Sequence, residues 1–317
     1  MTIRSNPVSG VDYPTTYQDF LEWFSDDAAC REYIKRCRWP DGFRCGSCGQ
    51  KNQPWTTGRG YLHCKNCGVE TSVTAGTIFE RTRMPLPTWF SAIWFVTSQK
   101  DGASALGLKQ VLGFGSYQTA WSWLHKLRTA MVRPGRDRLS GQIEVDETYI
   151  GGSGKGGKRG RGAERKEIVA IAVETHSPKG FGRIRMRRIP DVSQQSLLNF
   201  VCEVAEAGSE IRTDGWRGYS TLADHGYIHK KTVVSGTGDP AHVSMPAVHR
   251  IAALLKRWLM STHQGSVSPK HLEYYLDEYT FRFNRRSSRS RGLLFYRLIQ
   301  QAVQTPPQPY KSIVGRG

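Results

Sequence analysis

The chain has no apolar run approaching the ~20 residues that cross a bilayer. Its first residues, Met1-Thr2-Ile3-Arg4-Ser5-Asn6, hold no apolar core of a secretory signal. Both absences point away from the membrane and towards a cytoplasmic protein. Acid is also scarce: across 317 residues, 27 Asp and Glu face 45 Lys and Arg, a formal charge of +18 with a pI near 9.8. Such a surplus predicts a polyanionic partner, and nucleic acid is the commonest. Seven cysteines, an odd number with four of them in C-x-x-C pairs, do not make a disulfide framework; they fit a reducing compartment and metal binding. Cys30, Cys37 and Cys202 are left over and read as buried or inert thiols, with Cys37 an outside candidate for a redox or metal role because it precedes the quartet. A phosphate loop is missing too. Gly152 to Lys158 satisfies G-x-x-x-x-G-K, but Arg159 stands where Ser or Thr is needed and no amphipathic helix follows. Lys155, Lys158, Arg159 and Arg161 read instead as a basic hairpin loop that grips a DNA backbone.

What is present divides into segments. Residues 1–40 carry two short helices and form a helical cap. Residues 41–80 contain Cys45-Gly46-Ser47-Cys48, a spacer of 15 residues, and Cys64-Lys65-Asn66-Cys67, the spacing of a zinc ribbon. Four thiolates leave no open coordination position, so that Zn2+ is structural. Arg44, Lys51, Arg59 and Lys65 suit the ribbon to DNA. Residues 85–133 are helical, and Gly113-Phe114-Gly115-Ser116 separates two helices in a helix-turn-helix-like pattern. Its second helix bears Gln118, Thr119, Trp121, His125, Lys126 and Arg128. Three strands, a helix, another strand and further helices then describe a mixed sheet flanked by helices over 140–304, and 305–317 reads as a disordered tail.

Because acid is rare, acid inside a strand is informative. Ile143 to Ile150 alternates, so Ile143, Val145, Glu147 and Tyr149 line one face and Glu144, Asp146 and Thr148 the other. Asp214 ends another short strand, Glu210 to Asp214. Two carboxylates on separate strands in a chain crowded with Lys and Arg suggest a divalent ion, Mg2+ or Mn2+, held against a polyanion. A third ligand is expected on the helix over 248–260. At about 100° per residue, Ile251, Leu254, Leu255, Trp258 and Leu259 gather on a core arc, while His249, Ala253, Lys256 and Met260 oppose it. His249 and Lys256 share that face, flanked by Arg250 and Arg257, and Glu273 and Glu278 on the next helix are competing ligands.

These residues resemble bacterial insertion-sequence transposases of the DDE class, in the zinc-ribbon branch of family fifteen-ninety-five. The resemblance rests on the cysteine quartet, V-D-E-T-Y-I-G-G at 145–152, T-D-G-W-R-G-Y at 213–219, V-H-R at 248–250 with L-K-R-W-L at 255–259, T-H-Q-G at 262–265, and Y-L-D-E-Y-T-F-R-F-N-R-R at 275–286. It implies an α+β multidomain chain: zinc ribbon, helix-turn-helix-like linker domain, and RNase H-like mixed α/β catalytic domain. It also implies Asp146 and Asp214 as the catalytic aspartates. Where a DDE enzyme has Glu this chain has His249, with Lys256 as the downstream basic residue. A neutral imidazole compensates less of the metal charge than a carboxylate.

The expected activity is metal-assisted cleavage of element ends and joining of the 3′-hydroxyl to target double-stranded DNA. Lys256 and the arginines, including Arg250, Arg257, Arg285 and Arg286, would position phosphates, and Trp216 would stack on an unpaired base. Two element ends call for a homodimer or larger. The competing reading is a non-catalytic zinc-ribbon DNA-binding protein, a domesticated or inactive relative.

Overall fold

A computed structural model describes residues 7–133, 135–151, 166–176, 180–232, 245–265 and 267–315. The chain divides into two compact units, Met1–Arg133 with Ser287–Gly317, and Pro134–Arg286.

The first unit begins with α1 (Tyr17–Trp23) and α2 (Asp27–Arg38). Thr16 and Asp19 form a reciprocal capping box on α1, and Asp26 caps α2. The ribbon follows as an antiparallel sheet of β1 (Trp55–Thr56), β2 (Leu62–His63) and β3 (Glu70–Thr71). The Arg38 guanidinium donates to the Val73 carbonyl at 2.8 Å and so ties α2 to the end of the ribbon.

Next come α3 (Leu86–Ser98), α4 (Ala105–Leu112) and α5 (Tyr117–Ala130). Gly113 ends α4 at φ 65°, a left-handed cap that glycine adopts without strain, and Ser116 caps α5 as expected. Most of the presumed recognition helix is core. His125 and Arg128 are buried, Trp123 stacks on Trp89 with centroids 3.5 Å apart, and Lys126 lies over the Trp89 ring. Only its first turn, at Tyr117 and Gln118, is fully exposed.

Two further differences from the sequence reading arise at the C-terminus. The helix α9 (Arg291–Ala302; α7, Pro246–His263, and α8, Leu272–Phe283, lie in the second unit) packs in the first unit instead of extending the catalytic domain to 304. Phe295 sits among Phe20, Phe24, Phe90 and Trp94, giving that aromatic core a side chain its own segments lack. Gly292 allows the approach, since a Cβ there would lie 1.7 Å from the Pro14 carbonyl oxygen. The tail is also not structureless: α10 (Tyr310–Gly315) buries Ile313 completely.

The second unit holds five strands, β4 (Gln142–Ile150), β5 (Glu167–Thr175), β6 (Phe181–Ile189), β7 (Glu210–Asp214) and β8 (Ile228–Thr232), in the order β6-β5-β4-β7-β8. β4, β5 and β6 run antiparallel, whereas β7 and β8 run parallel to β4. That order and direction is RNase H-like. On one face, α6 (Gln194–Val204) packs Leu197, Phe200 and Val201 against Ile143, Val145, Ala170 and Ile211. On the other, α7 (Pro246–His263) and α8 (Leu272–Phe283) bring Ile251, Leu255, Leu272 and Leu276 onto Val169, Ile171, Ile184 and Met186.

Both faces are therefore covered, so β4 is a central strand and not a half-buried one. Glu144 and Thr148, on the face that alternation assigns to polar residues, are buried. A buried ion pair closes the far end of the sheet: Glu174 accepts from Arg183 at 2.6 Å and from the Ser140 and Arg183 amides at 3.1 and 2.8 Å. Burial pushes the Glu174 carboxyl up, but Arg183 and those amides outweigh it and hold the group below the usual range.

Candidate active site

Each C-x-x-C turn of the ribbon closes in the same way. The Gly49 amide donates to the Cys45 carbonyl and the Gly68 amide to that of Cys64, both at 2.9 Å, with the glycines at φ 70° and 73°. The two turns face each other. Cys45 and Cys67 sulfurs are 3.7 Å apart, those of Cys48 and Cys64 are also 3.7 Å apart, and all four ligand atoms lie within 4.8 Å of one another. A tetrahedral zinc with bonds of ~2.3 Å sets its sulfurs about 3.8 Å apart, so the quartet fits the ion. Asn52 donates to the Cys64 sulfur at 3.0 Å. Desolvation raises the Cys64 thiol, but the Cys67 and Asn66 amides and Asn52 outweigh it and bring the group down to about 6. By contrast, burial pushes Cys30 and Cys37 up to about 12, in keeping with inert thiols.

The acidic site is assembled by strand register. β4 and β7 pair Gln142 with Glu210, Ile143 with Ile211 and Glu144 with Arg212. Asp146 and Asp214 each follow the last of these pairs by two residues, on the face that also bears Glu144. One oxygen of each aspartate is oriented by a nearby amide: Glu147 donates to Asp146 at 2.9 Å and Trp216 to Asp214 at 3.0 Å. On the opposite face, the buried Tyr219 hydroxyl donates to Glu147 at 3.0 Å, and its pKa is raised by burial and by Glu147, Asp146 and Asp214.

α7 supplies the third side. The His249 Nε2 lies 3.9 Å from the Asp146 Oδ2, an ion-pair separation and too long for a hydrogen bond. Lys256, two turns on, senses the same site: desolvation and Lys166 lower its pKa while Asp146 raises it. Asp146, Asp214 and His249 do not contract into a ready-made ligand cluster. Among the described residues only the cysteine quartet brings three or more metal-ligating atoms within 4.8 Å of one another.

Residues 138–284 match the ISXO2-like transposase domain and residues 25–70 the transposase zinc-ribbon domain, both of the IS1595 type. The chain belongs to the IS1595 transposase family. A protein of Halobacterium salinarum described as an uncharacterized protein in transposable element ISH50 is 24% identical over 282 residues, covering 83% of this chain and 92% of that relative. The catalytic core domain of BIV integrase aligns over 47% of this chain and 87% of that one, at 18% identity and a TM-score of 0.32. The RNase H-like assignment of this transposase-family chain rests on its own strand order and direction.

Other expected site residues divide. Arg250 and Arg257 are exposed on α7. Arg285 and Arg286 are engaged within the fold: Arg285 donates to the Phe281 carbonyl at 3.3 Å and lies over the Phe281 ring, and Arg286 donates to the carbonyls of Gly182 and Phe283 at 3.2 and 2.9 Å and to that of Phe181. The Trp216 indole N–H donates to the Val192 carbonyl at 3.1 Å and its ring packs on the α6-side core, so it is not presented for base stacking. Glu278 is buried and paired with Arg282 at 2.8 Å, and Glu273 accepts from the Arg188 amide of β6, two strands from β4. Lys155, Lys158, Arg159 and Arg161 lie outside the described residues.

Two features escaped the sequence reading. Arg212 and Lys230 are cross-strand partners on the Asp214 face, and Lys230 belongs to the unforeseen strand β8. Glu144 is the other. Its carboxylate accepts from the Val248 amide of α7 at 2.9 Å, and burial raises its pKa while the Val248 and Ala247 amides and Arg212 pull it back.

Proposed function

We propose that the chain is a DDE-class transposase that cleaves the ends of its element and joins the freed 3′-hydroxyl to target double-stranded DNA. The observation that carries this reading is that Asp146 and Asp214 lie on adjacent parallel strands, each two residues past the last paired positions, Glu144 and Arg212, with His249 of α7 3.9 Å from Asp146. Asp146, Asp214 and His249 would hold Mg2+ or Mn2+. Such an ion supplies a nucleophile of lowered pKa and neutralises charge developing at phosphorus.

The chain's own part is placement. The aspartates present oxygens from a rigid sheet, and Lys256, on the same helical face as His249, holds a phosphate oxygen beside them. Exposed Arg250 and Arg257 continue that cationic surface along α7, and Arg212 with Lys230 extends it across β7 and β8. The ribbon, closed by its zinc, adds a separate DNA contact. A homodimer would hold two ends together.

The deciding experiment incubates the purified chain with duplexes carrying the inverted repeats that flank its gene, with Mg2+ or Mn2+, and follows strand cleavage and joining. Activity lost in Asp146→Ala and Asp214→Ala supports the reading. Binding without cleavage under any divalent ion would instead favour a zinc-ribbon DNA-binding protein without catalysis.

A further inference from the structure

Helix α7 begins with a donor problem. Pro246 is its first residue and has no N–H, Met245 offers no side-chain cap, and the His249 amide already closes on the Met245 carbonyl. Two first-turn amides, those of Ala247 and Val248, remain; Val248 donates to the Glu144 carboxylate at 2.9 Å, and the Ala247 amide also favours its charged form. That carboxylate comes from the middle of β4, is 3% exposed, and stands two residues before Asp146 on the same face. His249 follows Val248 directly. One buried side chain thus ties the strand that carries Asp146 to the helical turn that carries His249.

We infer that Glu144 is a positioning residue: it clamps the first turn of α7 to β4 and sets the His249 imidazole beside Asp146. The inference rests on the reading of Asp146 and His249 as members of one catalytic site. An ordinary cap from the helix's own chain would stabilise α7 equally well. A cap from the strand does more, because it fixes the helix to the aspartate in one step, and partners that orient metal ligands typically change metal affinity or activity 10- to 100-fold when removed.

The test separates reach from charge. Glu144→Gln keeps an acceptor at the same reach without the charge, whereas Glu144→Asp keeps the charge but draws it back by one methylene. If Glu144 is a clamp, Glu144→Gln cleaves within about threefold of wild type, and Glu144→Asp falls by about 10-fold or more and needs more Mn2+ for half-maximal rate. Hydrogen exchange in metal-free protein gives a readout independent of catalysis. The Val248 amide stays protected in Glu144→Gln and exchanges about 10-fold faster in Glu144→Asp.

The loss must also pass through His249, so Glu144→Asp costs nothing further in a His249→Ala background. The reverse ranking, with Glu144→Asp active and Glu144→Gln inactive, overturns the inference, as does an equal loss in both His249 backgrounds. Should Asp146→Ala retain full activity, it is the catalytic reading that fails. Protected amides in Glu144→Gln alone would then show only that the cap exists, and the positioning role would fall with the site.

Discussion

In the ribbon, four ligands come from two five-residue turns, C-G-S-C-G and C-K-N-C-G, and the sulfurs already stand at tetrahedral spacing. In the sheet, the proposed ligands come from β4, β7 and α7, and the Asp146 and His249 side chains remain 20% and 35% exposed at a separation of 3.9 Å. Local chain geometry completes the first site; long-range packing only brings the second near to completion. The difference is what the proposed function requires. A structural ion needs a closed shell, whereas a catalytic ion must keep positions open for a phosphate and a nucleophile. Two carboxylates and an imidazole that contracted without an ion would also incur like-charge repulsion between Asp146 and Asp214.

Removing zinc should break the ribbon and leave the sheet intact. Structural zinc in small domains contributes about 10–16 kcal/mol of apparent folding free energy. A strong chelator, or Cys64→Ser, should abolish ordered amide signals from residues 45–67 while the thermal transition of the sheet unit moves little. Joint loss of both would show that the two regions are not independent. Asp146→Asn should do the converse, with zinc content unchanged and cleavage reduced at least ~10³-fold, about 4 kcal/mol of barrier. Zinc content by metal analysis and single-turnover cleavage are the measurements.

The same contrast explains what could be read in advance. The ribbon was legible because all its chemistry lies in one short segment, and Asp146 because an acid amid Ile143, Val145 and Ile150 is out of place. His249 and Lys256 followed from helical periodicity. The strand β8 escaped because Ile228-His229-Lys230-Lys231-Thr232 lacks apolar alternation, as suits an edge strand protected by lysines. Glu144 escaped because period-two alternation cannot tell a solvent-facing acid from a buried one whose partner is a distant helix. For the same reason, the periodicity of α9 shows an apolar face but not which core receives it.

A smaller effect is expected from the other buried glutamate of the sheet. Glu174 is held below the usual carboxylate range, so its contribution is fully present above the unfolded-state pKa and is lost as pH falls through the lower folded-state value. Glu174→Gln should lower stability by about 1–3 kcal/mol near neutral pH, since two amides and Arg183 lose a charged acceptor. It should also flatten the decline that wild type shows on the acid side. Urea midpoints measured from about pH 7 down to pH 3 test this, and an unchanged acid limb would mean that the Arg183 pair does not set it. DNA cleavage per folded molecule should stay unaltered, because Glu174 pairs with Ile143, on the sheet face opposite the one that bears Asp146 and its partner Ile171.

The smallest effect separates Arg250 from Arg286, which is also exposed but whose guanidinium is held by backbone carbonyls. Each phosphate neutralised contributes about 0.9 to the slope of log K against log salt concentration. Arg250→Ala should therefore reduce the slope for duplex binding by about one, with a thermal midpoint near that of wild type. Arg286→Ala should do the opposite, leaving the slope unchanged while destabilising the junction of α8 with β6, because its guanidinium donates to the carbonyls of Phe181, Gly182 and Phe283. If Arg286→Ala changed the slope and Arg250→Ala did not, the DNA path along α7 would be wrong, and the basic block at 285–286 would have to be moved from scaffold to substrate contact.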